Sequence, residues 1–95
     1  MNGQASISAE ILGRYAADAA REIPGVRGLA RRRSVKIARD GDVLRVEMHL
    51  AVDWGTSIPE LADGVQERVR EYLHRMADVE PSTVDVIVDE IGPRA

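Results

Sequence analysis

The run from residue 42 to residue 76, DVLRVEMHLAVDWGTSIPELADGVQERVREYLHRM, changes its hydrophobic period part-way along. In its first part apolar and polar side chains alternate, which predicts a half-buried strand whose inward set is Leu44, Val46, Met48, Leu50, Val52 and Trp54. After Gly55 the apolar residues recur at helical spacing from Ile58 to Met76, which predicts an amphipathic helix. A long strand that leads directly into a long helix is typical of an α/β domain whose helix covers the sheet.

The same criteria predict the helices, strands and turns in the rest of the chain. Pro24-Gly25 ends a first helix, because neither residue continues helical backbone well. Ser57 and Glu60 have the spacing of a capping box at the start of the second helix. The remaining predicted elements are the first helix itself, from the N-cap Ser8 to Ile23, short strands over residues 26–30 and 34–39, a type I′ hairpin turn at Asp40-Gly41, and a last strand from Thr83 to Ile91.

The predicted element order, α-β-β-β-α-β, indicates an α/β (α+β) fold, a small two-layer sandwich. Each helix has a single apolar stripe, so both helices are expected on one face of a mixed three- or four-stranded sheet. One domain is predicted over residues 7–92, with tails at 1–6, expected to be disordered, and at 93–95. The other face of the sheet is expected to carry Arg45, Glu47, His49, Asp85 and Asp89, with Val43, Ile87 and Ile91 among them.

Composition narrows the class of protein. The 95 residues are 44% hydrophobic and 31% charged, which is typical of one globular domain. The absence of cysteine excludes disulfides and thiolate metal sites. The start, MNGQASIS, lacks the features of a signal peptide, and no apolar run approaches the roughly 20 residues of a membrane span. We therefore expect a cytoplasmic location, with any membrane contact peripheral or made through a partner.

Charge is divided unevenly along the chain. Residues 1–39 hold eight basic and three acidic side chains, whereas residues 40–95 hold five basic and thirteen acidic ones. The basic segment consists of Arg27, Arg31, Arg32, Arg33, Lys36 and Arg39. It is interpreted as a solvated edge strand that resists aggregation, as a lipid-headgroup contact, or as a surface that meets the acidic part of another copy. The basic segment and the polar strand face of Arg45, Glu47 and His49 are the predicted contact surfaces.

Few residues suggest a catalytic or metal-binding role. Glu47, His49 and Asp53 share one strand face, a spacing compatible with a metal site or an acid–base pair, and His74 is the other histidine. A solvated or interfacial face is the favoured interpretation. No P-loop, GxGxxG, HExxH or Ser-His-Asp pattern occurs, so no catalytic, cofactor-binding or metal-binding residue is assigned. Trp54 is expected to close the core, and Gly55 to permit a tight strand-to-helix turn.

The order and spacing of several segments resemble the alkaline-shock-protein family, the small envelope-stress-response proteins of Gram-positive bacteria. The segments are 22–29 (EIPGVRGL), 46–55 (VEMHLAVDWG), 58–61 (IPEL), 65–69 (VQERV) and 84–88 (VDVIV). Trp54 departs from the Tyr that more often precedes the glycine in this family. The abundance of alanine and arginine suggests an actinobacterial-type member. The resemblance implies a small α/β domain without known catalytic activity or cofactor, some of whose relatives self-associate or are held near the membrane by an anchored partner.

The expected function is therefore a non-enzymatic role in envelope stress response, exercised through protein–protein contacts. Self-association and docking to a membrane-anchored partner are both consistent with it. The alternative is a small KH-like nucleic-acid-binding module that uses residues 25–39, because Gly25-Val26-Arg27-Gly28 forms a GxxG fragment within basic sequence. The acidic overall charge and the lack of aromatic residues in that segment make nucleic acid the less favoured partner.

Overall fold

The computed structural model describes residues 7–30 and 34–93. Its elements are α1 (Ala9–Arg21), β1 (Val26–Leu29), β2 (Val35–Asp40), β3 (Val43–Val52), α2 (Ile58–Ala77) and β4 (Thr83–Ile91). The predicted α-β-β-β-α-β order is confirmed, and the strands form one four-stranded mixed sheet. The last strand begins and ends at the predicted residues. Arg31, Arg32 and Arg33 lie outside the described residues.

β3 is the strand to which the other three are bonded. β2 pairs antiparallel with its first part and β1 antiparallel with its last part. The Ala30 N–H donates to the His49 carbonyl (2.9 Å), and the His49 N–H donates to the Ser34 carbonyl (2.7 Å). β1 and β2 therefore lie end to end along one edge of β3. β4 runs parallel to β3 along the other edge, and α2 is the crossover that a parallel pair requires.

Both helices cover the same face of this sheet, as predicted. The core beneath them is aliphatic and consists of Leu12, Ala16, Ala19, Ala20, Leu44, Val46, Met48, Leu50, Val52, Leu61, Val65, Val69, Leu73 and Val84. The helices also meet through Tyr15 and Tyr72, whose rings pack edge to face with centroids 6.0 Å apart. Gln66 Nε2 donates to the Val84 carbonyl (3.0 Å) and ties α2 to β4. Neither helix combines the length and apolarity required to span a membrane, within the described residues.

Both helices begin where the sequence predicts, whereas α1 ends at Arg21, two residues before the predicted Ile23. Ser8 caps α1, because its hydroxyl accepts from the Ile11 N–H at 3.2 Å. Ser57 is the N-cap residue of α2, yet its side chain makes no capping hydrogen bond, so the predicted capping box is not formed. α2 ends at Asp78 in the left-handed conformation (φ +55°). Asp78 thus takes a left-handed position that glycine most often occupies at the end of a helix.

The hairpin turn is one residue later than predicted and of another type. Asp40 pairs with Val43, so Gly41 and Asp42 are the two central residues. Gly41 has φ of +62°, whereas Asp42 does not have positive φ. This matches a type II′ turn, which needs glycine only at its first central position.

Two apolar residues do not occupy the predicted positions. Trp54 lies beyond the end of β3, in the turn that leads to α2, and is 55% exposed, so it does not close the core. Ile91 shares a register position with Val52 on the helix side of the sheet, because an irregularity in β4 places Glu90 opposite Ala51. Strict alternation placed Ile91 on the other face, and a β-bulge breaks that alternation.

Gly55 provides a test of the strand-to-helix turn. Its φ is +87°, and an added Cβ would meet nothing within 4 Å, so Gly55→Ala is strained by backbone conformation alone. We expect a loss of about 1–3 kcal/mol in the free energy of unfolding, measured by urea denaturation. Gly28→Ala is the matched control, because its Cβ also meets nothing within 4 Å and its φ is not left-handed. Equal losses for the two variants would contradict the turn's requirement for glycine.

Candidate contact surface

The sheet face opposite the helices has no element packed over it among the described residues. We call it the open face. Its residues alternate along the strands with residues of the helix side, except Asp89, which lies in the bulge of β4. They are Lys36, Arg45, Glu47, His49, Ala51, Asp85, Ile87 and Asp89. Lys36, Glu47 and Asp85 lie side by side across the three strands. The open face is thus mixed in charge and polarity, as the sequence predicted.

An ion cluster ties β3 to β4 on this face. His49 Nε2 lies 2.9 Å from Glu47 Oε2, and His49 Nδ1 lies 2.8 Å from Asp89 Oδ2. The hydrogen bond with Glu47 raises the pKa of His49, and the bond with Asp89 raises it further. The protonated ring donates from both nitrogens, one to each carboxylate. Protonation of His49 therefore strengthens the link between the two strands.

A second ion pair lies at the end of the sheet. Arg27 Nε is 3.7 Å from Asp53 Oδ1, with both side chains about half exposed. An exposed pair of this kind contributes at most about 1 kcal/mol. An added Cβ on Gly92 would lie 2.5 Å from Arg27 Nη1, so the arginine side chain reaches from β1 to the end of β4. Glycine at position 92 makes that close approach available.

The structure brings together part of the predicted contact set. Arg27, Lys36, Arg45, Glu47 and His49 lie on the open face or at its end. Arg39 is opposite Leu44 and belongs to the helix side of the sheet, where it lines a cavity with Val79 and Glu80. The basic segment is therefore divided between the two faces. Arg31, Arg32 and Arg33 remain predictions, because they lie outside the described residues.

The metal or acid–base interpretation of Glu47, His49 and Asp53 does not match the geometry. Asp53 pairs with Arg27, and the two ring nitrogens of His49 meet carboxylates on opposite sides. Within residues 7–30 and 34–93, no group of three His, Asp or Glu side chains is arranged to hold a metal ion. Strand alternation predicts Asp89 on the correct face of the sheet. Asp89 and His49 are 40 residues apart in the chain, so no local sequence pattern predicts their contact.

Comparison with known proteins identifies the family. A family profile described as ASP23, cell envelope-related function, matches residues 30–93. The chain belongs to the alkaline-shock-protein family. The resemblance drawn from the sequence is thereby confirmed, together with the cell envelope-related function of the family.

One curated protein and two solved structures are similar to this chain at 20–24% sequence identity. The uncharacterized protein YloU of Bacillus subtilis (strain 168) is 24% identical over 106 aligned residues, covering 94% of this chain and 88% of YloU. A solved MamM-CTD variant has a TM-score of 0.63 at 20% identity, covering 90% of this chain and all of that one. A cadmium form of another MamM-CTD variant has a TM-score of 0.60 at 20% identity, covering 87% of this chain and 98% of that one. These two structures show that the fold is shared.

The glycine pair at 25 and 28 does not form a KH-type loop. Gly25 has φ of +97°, and an added Cβ would lie 2.7 Å from Thr56 Cγ2, so Gly25 packs against the turn before α2. Gly28 is inside β1. A KH loop would instead present its glycines between two helices. The geometry therefore argues against the nucleic-acid alternative.

The raised pKa of His49 predicts a pH-dependent contribution to stability. The contribution is fully present below the ordinary pKa of 6.5 and is lost as pH rises through the higher folded-state pKa. His49→Gln should therefore melt below wild type at acidic pH, and the difference should shrink at alkaline pH. Circular dichroism melts across a pH series measure this.

His74→Gln is the control for removal of a histidine, because it leaves the Glu47–His49–Asp89 cluster intact. Asp89→Asn should lower the pKa of His49 in an NMR titration, since it removes one of the two carboxylates. A melting difference between wild type and His49→Gln that stays constant with pH would show that the charge of the ring does not stabilise the fold.

Proposed function

We propose that this family member is a non-enzymatic scaffold in cell-envelope stress response, which acts through protein contacts and associates head to tail with further copies. A membrane-anchored partner protein would hold such an assembly at the envelope. The observation that supports the proposal is the opposite charge of the two edges of one sheet.

The described part of the edge formed by β1 and β2 is basic. Lys36 and Arg39 are exposed along it, against one acidic residue, Asp40, whereas the Arg27 side chain is directed to Asp53 and the end of β4. The other edge is formed by β4, whose charged residues are Asp85, Asp89 and Glu90, all exposed and all acidic. These two edges lie on opposite sides of β3. One copy can therefore present its acidic edge to the basic edge of the next.

Such a contact uses two different surfaces, so it is heterologous and propagates unless rotation closes a ring. Each exposed ion pair supplies at most about 1 kcal/mol, and several in register are needed for measurable association. Exposed charges are screened over about 10 Å at 0.1 M salt, so association should weaken as salt is added. Charged edge strands also resist pairing with unrelated sheets, which favours a partner of matched charge.

Charge reversal tests the head-to-tail arrangement. A basic-edge variant, Lys36→Glu with Arg39→Glu, makes β2 acidic, and an acidic-edge variant, Asp85→Lys with Glu90→Lys, gives β4 a net positive charge. In light scattering across a salt series, wild type should associate at low salt and each variant alone should remain monomeric. An equal mixture of the two variants should associate again, because every acidic edge then meets a basic one.

The control is Arg14→Glu with Glu67→Lys, which reverses one exposed charge on each helix and leaves the net charge unchanged. It should associate as wild type does. A wild-type mass that stays monomeric at low salt would refute self-association. A mixture that stays monomeric while wild type associates would refute contact through the sheet edges.

A further inference from the structure

The sheet ends in two strands that are bonded on one side only. Within the described part of the chain, β2 pairs with β3 alone and β4 pairs with β3 alone. The outer side of each strand therefore carries backbone N–H and C=O groups that no described strand of the same copy reaches. Which residues carry these groups decides how a further strand can pair with either edge.

In β4 the outward groups belong to residues whose side chains lie on the helix side of the sheet. The Leu44 and Val52 carbonyls accept from N–H groups beside the two ends of β4, so these residues of β3, and every second residue between them, bond toward β4. In a parallel ladder the residue opposite such a residue directs its own N–H and C=O the other way. The residues opposite Val46, Met48 and Leu50 are Val84, Val86 and Val88. The Val84 carbonyl accepts from Gln66 Nε2, which agrees with this outward direction.

In β2 the outward groups also belong to residues of the helix side. The His49 N–H donates to the Ser34 carbonyl, so Ser34 and every second residue after it bond toward β3. The residues between them, Val35, Ile37 and Arg39, direct their N–H and C=O groups outward. Both edges thus present their outward groups on residues of the same sheet face.

These directions fix the orientation of an added strand. In an antiparallel ladder two residues that exchange hydrogen bonds lie opposite each other, with side chains on the same face. β2 of one copy can therefore add antiparallel to β4 of another and keep the helices of both copies on one side. With Ile37 opposite Val86, all three outward residues of β2 meet the three of β4. Lys36 then lies opposite Ile87 and diagonal to Asp85, within reach of its carboxylate.

Charge decides which edges pair. The same directions would also let two copies of β4, or two copies of β2, pair with each other. Paired β4 strands would bring the exposed Asp85, Asp89 and Glu90 of both copies together. Paired β2 strands would bring the exposed Lys36 and Arg39 together. Like charges across a strand pair destabilise it and opposite charges stabilise it, so the favoured partner of β4 is β2 of a second copy.

Apolar side chains accompany these backbone groups on the helix side. Val35, Ile37, Val86 and Val88 are partly buried against the core. A groove of about 430 Å³ between α1 and β2 is lined by Val35 and Ile37 beside Gly13. Strand addition at β2 would place the valine side chains of β4 along the rim of this groove and bury apolar surface on both copies.

We infer that the head-to-tail contact is a continuous β-sheet, in which β2 of one copy adds antiparallel to β4 of the next through backbone hydrogen bonds. The inference rests on the head-to-tail association proposed above and names the strands, the orientation and the register of that contact. Backbone hydrogen bonds supply affinity in strand addition, and side chains supply selectivity. The assembly then has one sheet, with the helices of every copy along one face and the open faces along the other.

Hydrogen exchange tests the backbone contact in the unmodified chain. The chain exchanges in deuterated water at low salt, where it should associate, or at high salt, where it should be monomeric. NMR spectra are recorded after an acid quench and a return to high salt. The outward amides of Val35, Ile37, Val86 and Val88 should exchange at least about tenfold more slowly at low salt, because association encloses them in hydrogen bonds. The first-turn amide of Glu60 in α2 is the internal control and should exchange equally in both states.

A pair of introduced cysteines tests orientation and register, since the chain has no cysteine of its own. With Ile37 opposite Val86, Ala38 lies opposite Asp85 of the next copy. Ala38→Cys with Asp85→Cys should therefore form a ladder of disulfide-linked oligomers under mild oxidation. A disulfide within one copy is excluded, because the two positions lie on opposite sides of β3, about 10 Å apart.

Ala38→Cys with Thr83→Cys is the matched control, because Thr83 belongs to the same edge but lies diagonal to Ala38 in this register. Its ladder should form about tenfold more slowly, since diagonal positions are too far apart for a disulfide. Equal rates for the two variants would show a contact without a fixed register and overturn the inference.

The continuous sheet and the proposed assembly fail in different ways. Association at low salt that leaves the exchange of the outward amides unchanged would overturn the continuous sheet and leave the proposed contact between charged edges standing. Slowing confined to β2 or to β4 would indicate pairing of identical edges and overturn the inference as well. A chain that stays monomeric at low salt would overturn both.

Discussion

The backbone hydrogen bonds of β3 hold the sheet together on both sides, and its inward side chains form the floor on which both helices rest. A one-residue slip of this strand would exchange Val46, Met48 and Leu50 with Glu47 and His49 and place charge in the core. The strict alternation of β3 therefore does more than indicate a strand. It specifies one register against three neighbours, and the positions of every exposed charge follow from that register.

Because both helices cover the same side, the fold leaves one sheet face and two strand edges accessible. This explains why the candidate contacts lie on strands and at their ends. The ion cluster of Glu47, His49 and Asp89 is built on the side chains that alternate with the core. The same strand thus supplies side chains to the interior and to the surface. A change in the protonation of His49 acts on the contact between β3 and β4.

Local sequence signals predicted the elements but not every orientation. The apolar periods of β3 and α2 and the cap at Ser8 depend on neighbouring residues, so they were readable from the chain. Trp54 was misplaced because the strand ends two residues before it. Ile91 was misplaced because the bulge in β4 is set by its pairing with β3. The contact of His49 with Asp89 likewise depends on how strands meet, which no local pattern records.

The two backbone bonds of His49 determine how β1 and β2 are placed on the central strand. Ala30 and Ser34 are both bonded to this one residue of β3, so each of the two flanking strands is fixed along β3 by a hydrogen bond of its own. A single residue of β3 thus joins two separate strands into one edge of the sheet, and a backbone change at position 49 would act on both strands at once.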